Sequence, residues 1–316
     1  MLVLASTSAN SSPFRSTDQN PLLGGGLSFV APGRLAPSKT TSAKISLNWS
    51  STAAIQQSGT ETLIVDAESR EWRLELEHAF SERLSLRVQL PYRSTTGGSL
   101  DNTIDRWHDV FGLPNGDRLA LAQNQLLIDY RRGNSTLVNY RNQNVSSLGN
   151  ASIDVGLQLR ANESSATSVW SSVAFPTGDS EKLSGGDAFS ATVVLAHTKK
   201  IADRFELFGH TGVLLSGSQE PLEEQRKSAV WLAMIGAEFR ATTHLTLTLQ
   251  LDGHSAAFER TGESADLDLL GPAYILTAGG EYIFPKEWRL TVGFAEDVKV
   301  EASPDVSFLL AVKKNY

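Results

Sequence analysis

Charged side chains that recur at every second position are the part of this chain best suited to solute chemistry. One segment places acidic and basic groups on alternate residues, and the next segment along the chain places arginines in the same way. Alternate residues of a β-strand share one face. The sequence therefore predicts two strands whose charged faces line a polar lumen. The candidate lumen-lining residues are Glu71, Arg73, Glu75, Glu77, Arg87 and Arg93.

The short connection between these two segments predicts how their charges pair. A turn at residues 81–83 places Glu77 opposite Arg87 and Glu71 opposite Arg93 in antiparallel strands. Cross-strand pairs of opposite charge contribute only about 0.2–1 kcal/mol each. Their value would therefore lie in lining a lumen rather than in stability. The solvated face of a soluble sheet would explain one such strand equally well.

The residues that resemble catalytic or metal-binding groups are weak candidates. The stretch 253–257, Gly-His-Ser-Ala-Ala, is similar to a nucleophile elbow, but it has alanine where that motif requires its second glycine. Adjacent residues of a strand also point to opposite faces, so His254 and Ser255 would not share one surface. The chain has no cysteine, which excludes disulfides and thiol catalysis. We therefore predict no catalytic residue, no cofactor and no metal.

Residues 97–118 form the most distinctive stretch and predict a short amphipathic helix in a long loop. Asp101 could cap a helix whose aromatic and aliphatic residues share one side, ending before Gly112 and Pro114. We expect this helix to fold over the mouth of a barrel or to dock within its lumen. The neighbouring acidic and histidine side chains could bind a cation or simply form a solvated face. The candidate loop residues are Asp101, Asp105, Trp107, His108, Asp109 and Arg118.

Most of the chain after residue 42 consists of period-two segments of about ten residues. In one of them Trp72, Leu74 and Leu76 alternate with charged residues. About ten residues is the length that a tilted strand needs to cross a bilayer. Hydrophobic residues make up 41% of the chain, and the longest apolar runs are far shorter than the roughly 18 residues of a transmembrane helix. The pattern favours an all-β fold that crosses a membrane with strands.

The connections between these segments alternate between short turns and long loops. Short turns on one rim and long loops on the other are typical of outer-membrane barrels. If residues 122–143 form a hairpin inside one long outer loop, the alternation is unbroken. The sequence then predicts an antiparallel transmembrane β-barrel of about twelve strands, with both ends on the periplasmic side. Short turns are predicted at 81–83, 161–165, 202–204, 241–243 and 285–287, and long loops at 56–61, 176–187, 217–227, 257–271 and 299–305.

The last strand carries a pattern typical of outer-membrane insertion signals. Phe308, Leu310, Val312 and Tyr316 share one face with Lys314, which departs from the apolar pattern. We expect this strand to be recognised by the barrel-assembly machinery of a Gram-negative bacterium. The barrel would then contact outer-membrane lipid and lipopolysaccharide.

The N-terminal part of the chain divides into two segments. Residues 1–20 read as a disordered tail or as the remnant of a truncated signal sequence. Residues 21–42 contain the triplet Gly24-Gly25-Gly26 and could enter the lumen. The barrel itself is predicted at residues 43–316. A net charge of −7 and a pI near 5.4 make nucleic acid an unexpected partner.

Three stretches of the chain carry a resemblance to a known family. They are residues 66–70, the segment from Gly98 through Arg118, and Glu296-Asp297 with Ser303-Pro304-Asp305. In these the chain resembles a proteobacterial family of uncharacterised outer-membrane proteins, a domain of unknown function, from about Asn20 to the C-terminus. The resemblance implies a β-barrel in the outer membrane and supplies no activity.

Three functional hypotheses follow from the predicted barrel. The first is a channel or passive transporter for small solutes, with the Glu and Arg pairs setting its selectivity. The second is an outer-membrane enzyme that acts on lipid or lipopolysaccharide. The third is a structural or surface-interaction barrel that works through its outer loops.

Overall fold

The computed structural model describes residues 13–27, 29–112, 115–260 and 264–316, and describes only the backbone at Phe111. The one α-helix in these residues is α1, Asp101–Phe111. Short 3-10 helices lie at Pro21–Leu23, Arg118–Ala120, Ser180–Lys182, Glu223–Gln225, Asp268–Leu270 and Pro285–Glu287. The strands are β1 Thr41–Ser58, β2 Glu61–Ser81, β3 Leu84–Thr96, β4 Leu127–Arg132, β5 Ser135–Arg141, β6 Val145–Leu148, β7 Ser152–Ala161, β8 Ser165–Ala174, β9 Ser190–Ala202, β10 Phe205–Ser216, β11 Ala229–Arg240, β12 Leu245–His254, β13 Ala273–Phe284, β14 Trp288–Asp297 and β15 Val306–Asn315.

Within the described residues these strands close a barrel of twelve antiparallel strands. Each strand from β7 to β15 pairs with its neighbour in sequence, and β7 and the short β6 both pair with β3. The ring is closed by β1 against β15, with Ile45 opposite Val312 and Trp49 opposite Phe308. The predicted fold and strand number are confirmed. Closure leaves no free edge in the wall, so each of the twelve wall strands has backbone partners on both sides, whereas the short β5 and β6 pair on one side only.

The outer surface of the barrel is apolar and its inner surface is polar. Trp231, Ile235 and Leu249 are 65%, 63% and 54% exposed on the outside. Glu238 and Gln250 of the same strands, and His210 of the neighbouring β10, are buried and face inward. This is the alternation that a membrane barrel needs, because its outer face meets hydrocarbon and its inner face meets polar groups. No helix in the described part of the chain is long and apolar enough to cross a membrane.

The connections separate into a short-turn rim and a long-loop rim, as predicted. One connection differs: residues 56–61, expected as a long loop, form a tight turn at Gly59 and Thr60. Ser58 pairs directly with Glu61, and Gly59 has the positive φ of 57° that a two-residue hairpin turn favours. As a result β1 and β2 continue well beyond the length that the membrane needs and form a long ribbon at the long-loop rim.

The predicted hairpin within residues 122–143 is confirmed. It consists of β4 and β5, turns at Gly133 and Asn134, and pairs with the protruding part of β2. Tyr130 and Ile128 of this hairpin are fully buried and share an apolar core with Leu63 and Val65 of β2. The β4–β5 hairpin therefore lies above the wall at the long-loop rim and adds no strand to the wall.

The helix α1 lies on the outer wall of the barrel, which corrects the expectation that it would cover the mouth or enter the lumen. Leu100 and Ile104 pack against Val306 and partly cover Trp49 and Phe308. These are outward-facing positions of β1 and β15. The apolar stripe of the helix meets an apolar wall there, whereas the lumen is polar and, as described below, already occupied. An amphipathic pattern alone does not distinguish these two surfaces.

The beginning of α1 also differs from the prediction. Asp101 is the first helical residue rather than its cap, and the residue before the helix makes no side-chain cap. Instead the carboxylate of Glu68, on the outer face of β2, accepts hydrogen bonds from the amides of Ser99 and Leu100. Glu68 thus satisfies amides at the helix entry that would otherwise lack partners.

Arg118 fastens α1 to the barrel. Its guanidinium donates to Asp101 at 2.8 Å, to the Ser51 hydroxyl at 2.9 Å and to Asp305 at 2.6 Å. Burial lowers the pKa of Arg118, but the carboxylates of Asp305 and Asp101 outweigh burial, and the net pKa is raised. The cluster links the loop after the helix to β1 and to the loop before β15.

Replacing Arg118 with methionine is expected to release α1 from the wall, because two buried carboxylates lose their shared cation. Breaking one side of a buried ion pair typically costs about 3–5 kcal/mol. Hydrogen exchange in lipid nanodiscs should show faster exchange of the amides of residues 99–112 and little change in the barrel strands. Arg106→Met is the matched control, since Arg106 is exposed on the same helix. Equal exchange in the two variants would show that Arg118 does not hold the helix.

Candidate functional site in the barrel lumen

The lumen is occupied by residues 13–27 and 29–35, which together we call the N-terminal hairpin. From residue 13 the chain runs toward the long-loop rim, turns through the 3-10 helix Pro21–Leu23, and returns to the short-turn rim before β1. Asp18 and Leu27 exchange backbone hydrogen bonds across this hairpin at 3.0 and 2.9 Å. The placement of residues 13–20 differs from the prediction that residues 1–20 form a tail, because they are buried among lumen side chains. Residues 1–12 lie outside the described residues.

Hydrogen bonds attach the hairpin to the wall along its whole length. Gln250 of β12 brackets Phe14, accepting from its amide at 2.9 Å and donating to its carbonyl at 3.0 Å. At the other end Gln158 of β7 accepts from the Leu35 amide at 2.8 Å and donates to the Gly33 carbonyl at 2.8 Å. The hairpin is therefore held by side chains of opposite walls and fits the lumen as a plug.

The predicted lumen-lining residues all lie on the inward faces of β2 and β3. Glu71, Glu75, Arg87 and Arg93 are buried, with exposed fractions between 1% and 7%, while Arg73 and Glu77 are half-buried. Their strands alternate with the exposed apolar residues of the outer wall. The side chains thus form one charged strip along the inner surface. Whether this strip sets selectivity remains a prediction.

The register of β2 and β3 is the predicted one, but only one of the two predicted ion pairs forms. Glu71 lies opposite Arg93 and Glu77 opposite Arg87, as expected. Arg93 contacts Glu71 at 3.3 Å. Arg87, however, bonds Asp154 of β7 at 2.7 Å, and Glu77 accepts from the Ser85 hydroxyl at 3.0 Å. Arg87 turns to the other neighbouring strand, where a fully buried carboxylate needs a cation.

Several inward residues with functional potential were missed by the sequence analysis. Arg15 of the hairpin pairs with Glu75 at 3.2 Å, and Asp18 contacts His254 Nε2 at 2.9 Å. Both residues fall in the segment predicted to be disordered. Asp154 sits on a strand whose alternation was visible, yet its partner is 67 residues away in sequence. The sequence offered one signal for Asp154: it lies on the strand face opposite the apolar residues, which indicates that it faces the lumen.

His254 faces the lumen and has acceptors on both sides of its ring. Its Nε2 contacts Asp18, and its Nδ1 lies 2.8 Å from the backbone carbonyl of Ser255. Both ring nitrogens of His254 thus face acceptors, an arrangement that the doubly protonated ring satisfies, and that form of the ring makes an ion pair with Asp18. The Ser255 hydroxyl instead accepts from the Trp231 amide at 3.0 Å. The two side chains therefore do not form a nucleophile and base.

The hairpin divides the remaining lumen into small cavities. A cavity of about 70 Å³ lies between Phe14, Arg15 and the strands β1, β14 and β15, with Lys44 and Lys313 in its lining. A second cavity of about 120 Å³, which we call the loop-side cavity, lies between the hairpin and the inner faces of β7 to β11 next to the long loops. One water needs roughly 10–15 Å³, so each cavity has room for several. The plugged lumen thus keeps water-sized spaces on both sides of the hairpin.

The loop-side cavity contains a cation without a carboxylate partner. Arg226 donates to the Leu23 carbonyl at 3.1 Å, and its guanidinium lies 4.8 Å from the Phe258 ring centre. Within the described residues no ion pair involves Arg226, and its Nε atom has no hydrogen-bond partner. Burial lowers the pKa of Arg226 to about 10. The loop between β10 and β11 thus presents to the lumen a half-buried positive charge that has no carboxylate partner among the described residues.

The predicted loop residues lie outside the lumen. Asp101 and Arg118 belong to the cluster that fastens α1, and Trp107 packs on Phe294 with ring centres 5.2 Å apart and donates to Glu296 at 2.9 Å. His108 is buried and contacts the Asn115 side-chain oxygen at 2.9 Å. Asp105 accepts from Gln123 at 3.1 Å, while Asp109 is exposed. In the described part of the chain no group of three or more His, Asp or Glu residues is arranged to hold a metal.

The C-terminal strand presents its apolar face outward. Leu310 and Tyr316 are exposed, while Phe308 and Val312 are half-buried by their neighbours. Lys314 lies over the rings of Trp288 and Tyr316 at 5.1 and 5.7 Å, so its charge is placed among aromatics at the short-turn rim. Recognition of this strand during insertion stays a prediction.

Comparison with solved structures shows the same fold. The COG4313 outer membrane channel from Pseudomonas putida F1 superposes with a TM-score of 0.64 and 16% identity, over 91% of this chain and 100% of that one. The KdgM porin aligns with a TM-score of 0.47 and 8% identity, over 87% and 99%. The P. putida toluene transporter TodX aligns with a TM-score of 0.44 and 11% identity, over 89% and 91%. No match was found among curated proteins.

The sequence itself matches one family model across nearly its full length. That model covers residues 2–316, which includes the barrel, the hairpin and the outer-wall helix. The chain therefore belongs to the family described as "Protein of unknown function (DUF3187)".

Proposed function

We propose that this protein is an outer-membrane channel or passive transporter for small solutes, narrowed by its N-terminal hairpin. The observation that carries the proposal is the closed barrel wall, apolar outside and charged inside, around a lumen in which the hairpin leaves cavities of about 70 and 120 Å³. Small barrels fill their interior with side chains, whereas barrels of 16 to 18 strands enclose an aqueous channel. A twelve-strand wall lies between them, so the inserted hairpin decides how much of the lumen is open.

The same proposal gives the protein an orientation and a location. Short turns face the periplasm in outer-membrane barrels and long loops face outward. The hairpin would then enter from the periplasmic side and present its tip toward the outer loops. We further propose that the β15 strand serves the barrel-assembly machinery during insertion, and that the wall contacts outer-membrane lipid and lipopolysaccharide. The COG4313 outer membrane channel, which shares the fold, is described as an outer-membrane protein, and this description supports the proposed location.

Planar-bilayer recording tests the proposal. The purified protein should form discrete channels, and Glu75→Ala should raise their relative anion permeability. Glu75 pairs with Arg15 of the hairpin at 3.2 Å. Removing the carboxylate leaves the buried guanidinium uncompensated, which favours anions in the lumen.

Glu61→Ala is the control for the Glu75 variant. Glu61 is also a buried carboxylate of β2, but its partner is Arg132 of the outer hairpin, at 2.8 Å, and it lies in the protruding ribbon. The reversal potential in a salt gradient should therefore stay that of the unmodified protein. An absence of conductance in protein that shows the heat-modifiable migration of a folded barrel would refute the channel proposal.

A further inference from the structure

The loop-side cavity differs in charge from the rest of the molecule. The chain carries a net charge of −7. Yet the described residues that line this cavity include Arg15, Arg73, Arg226 and Lys227 and include no aspartate or glutamate. A cluster of positive charges in an acidic protein calls for an explanation. Buried charges of one sign repel one another, and removing them from water costs free energy.

Two of the four cations are paired with carboxylates that lie outside the cavity. Arg73 bonds Glu71 at 2.7 Å and Arg15 bonds Glu75 at 3.2 Å, but neither carboxylate lines the loop-side cavity. Lys227 is 3.9 Å from Glu259, whose side chain is mostly exposed. Among the described residues, the Arg226 guanidinium donates to the backbone carbonyls of Leu22 and Leu23 and lies against the Phe258 ring. The cavity therefore presents a field that favours an anion, with Arg226 as its least satisfied charge.

The rest of the lining combines hydrogen-bonding side chains with apolar ones, such as Leu23, Leu27 and Phe29 of the hairpin. Hydroxyl and amide side chains come from the inward faces of β7 to β10 and from the neighbouring loops. A hydroxyl can both donate and accept, so such a wall suits a ligand that carries several hydroxyls of its own. The hydroxyl-bearing lining residues are Ser152, Ser172, Ser184, Ser190, Thr192 and Ser216.

We infer that the loop-side cavity is a binding site for a small hydroxylated carboxylate, of the sugar-acid class, with its carboxylate at Arg226 and Lys227. The planar guanidinium matches a carboxylate in geometry, and the serine and threonine hydroxyls match a polyol. The site lies beside the tip of the hairpin, so a bound anion would compete with the Leu22 and Leu23 carbonyls for Arg226. This inference rests on the proposed channel function and names the solute class that the channel would admit.

The test measures binding without relying on conduction. Saturation-transfer NMR in detergent should detect binding of sodium glucuronate and much weaker binding of glucose, which has the hydroxyls without the carboxylate. Arg226→Gln and Lys227→Gln should each reduce the glucuronate signal several-fold, and Arg226→Lys should retain part of it. Lys227→Gln separates the effect of charge from that of contacts with the hairpin, because Lys227 contacts Glu259 and Ala257 rather than the hairpin.

Arg131→Gln is the matched control. Arg131 is also an outer-loop arginine, but its side chain is 53% exposed, pairs with Asp129, and lies outside the cavity. Its glucuronate binding should equal that of the unmodified protein. Equal binding of glucose and glucuronate, or binding unchanged in both cavity variants, would overturn the inference.

Bilayer recording on the same proteins separates the two proposals. Glucuronate added on the loop side should reduce the potassium chloride current, and this block should weaken in Arg226→Gln and Lys227→Gln. Binding that depends on Arg226 and Lys227 in a protein without conductance would support the site and refute the channel. A conducting protein whose glucuronate block is identical in all variants would support the channel and refute the site.

Discussion

Deleting residues 13–34 is expected to raise the single-channel conductance several-fold. The N-terminal hairpin is the only described segment that passes through the middle of the lumen. Beside it the two larger cavities measure about 70 and 120 Å³. Without it, the inward faces of twelve strands would border a continuous aqueous passage, since barrels of greater strand number enclose water.

The barrel is expected to survive this deletion. Its closure depends on the pairing of β1 with β15 and of each strand with its neighbours, and none of these pairings uses residues 13–34. Water can replace the hydrogen bonds that the hairpin makes to charged and hydroxyl-bearing side chains of the wall, while the apolar cluster that it shares with Trp170, Val194 and Ala196 would be exposed. Heat-modifiable migration on a gel checks that the deleted protein is folded before its conductance is measured.

A second variant, which keeps all residues, shows whether a change in conductance comes from the hairpin itself or from an effect of the deletion on barrel assembly. Arg15→Gln with Asp18→Asn keeps the chain length but removes the ion pairs with Glu75 and His254. This protein should show frequent transitions between a low and a high conductance as the hairpin loosens. If the folded deletion variant conducts no more than the full chain, the hairpin is not the element that narrows the lumen.

The wall of the barrel could be predicted from the sequence because its determinants are local. Alternation with period two identifies each strand, and the turn at residues 81–83 fixes the β2 to β3 register, including Glu71 opposite Arg93. Strand number then follows from the order of short and long connections. Each strand and each turn is encoded within roughly 11–18 consecutive residues, the window in which hydrophobic periodicity indicates local structure. The strand number is then obtained by counting these local elements along the chain.

The contents of the lumen could not be predicted in the same way, because they depend on contacts between distant residues. Residues 13–20 lack periodicity and have polar composition, so they resemble a tail, yet their partners Gln250 and His254 are more than 230 residues away. The position of α1 illustrates the same limit. Its apolar stripe was visible, but whether that stripe meets the wall or the lumen depends on which surface the completed barrel leaves available.

The replacement Arg87→Met is expected to lower the free energy of unfolding by about 3–5 kcal/mol, the usual cost of leaving a buried charge without its partner. Arg87 bonds Asp154 at 2.7 Å and the Val30 carbonyl of the hairpin at 2.8 Å, and its guanidinium lies 4.5 Å from a Trp170 ring centre. The Asp154 side chain is fully buried. In the variant this carboxylate keeps only neutral donors, Gln89, Ser152 and Ser172, against the cost of burial.

A double-mutant cycle isolates the interaction from the loss of packing. Asp154→Asn removes the charge that Arg87 compensates, so adding it to Arg87→Met should recover part of the lost stability, because no buried carboxylate is then left unpaired. Urea unfolding in lipid vesicles, followed by tryptophan fluorescence, gives the four free energies. Arg131→Met is the comparison, since the Arg131 side chain is 53% exposed and Asp129 keeps Arg141 at 3.8 Å, so the loss should be no more than about 1 kcal/mol. Additive effects of the Arg87 and Asp154 substitutions, or an Arg87→Met loss no larger than that of Arg131→Met, would mean that the Arg87–Asp154 pair does not stabilise the contact between β3 and β7.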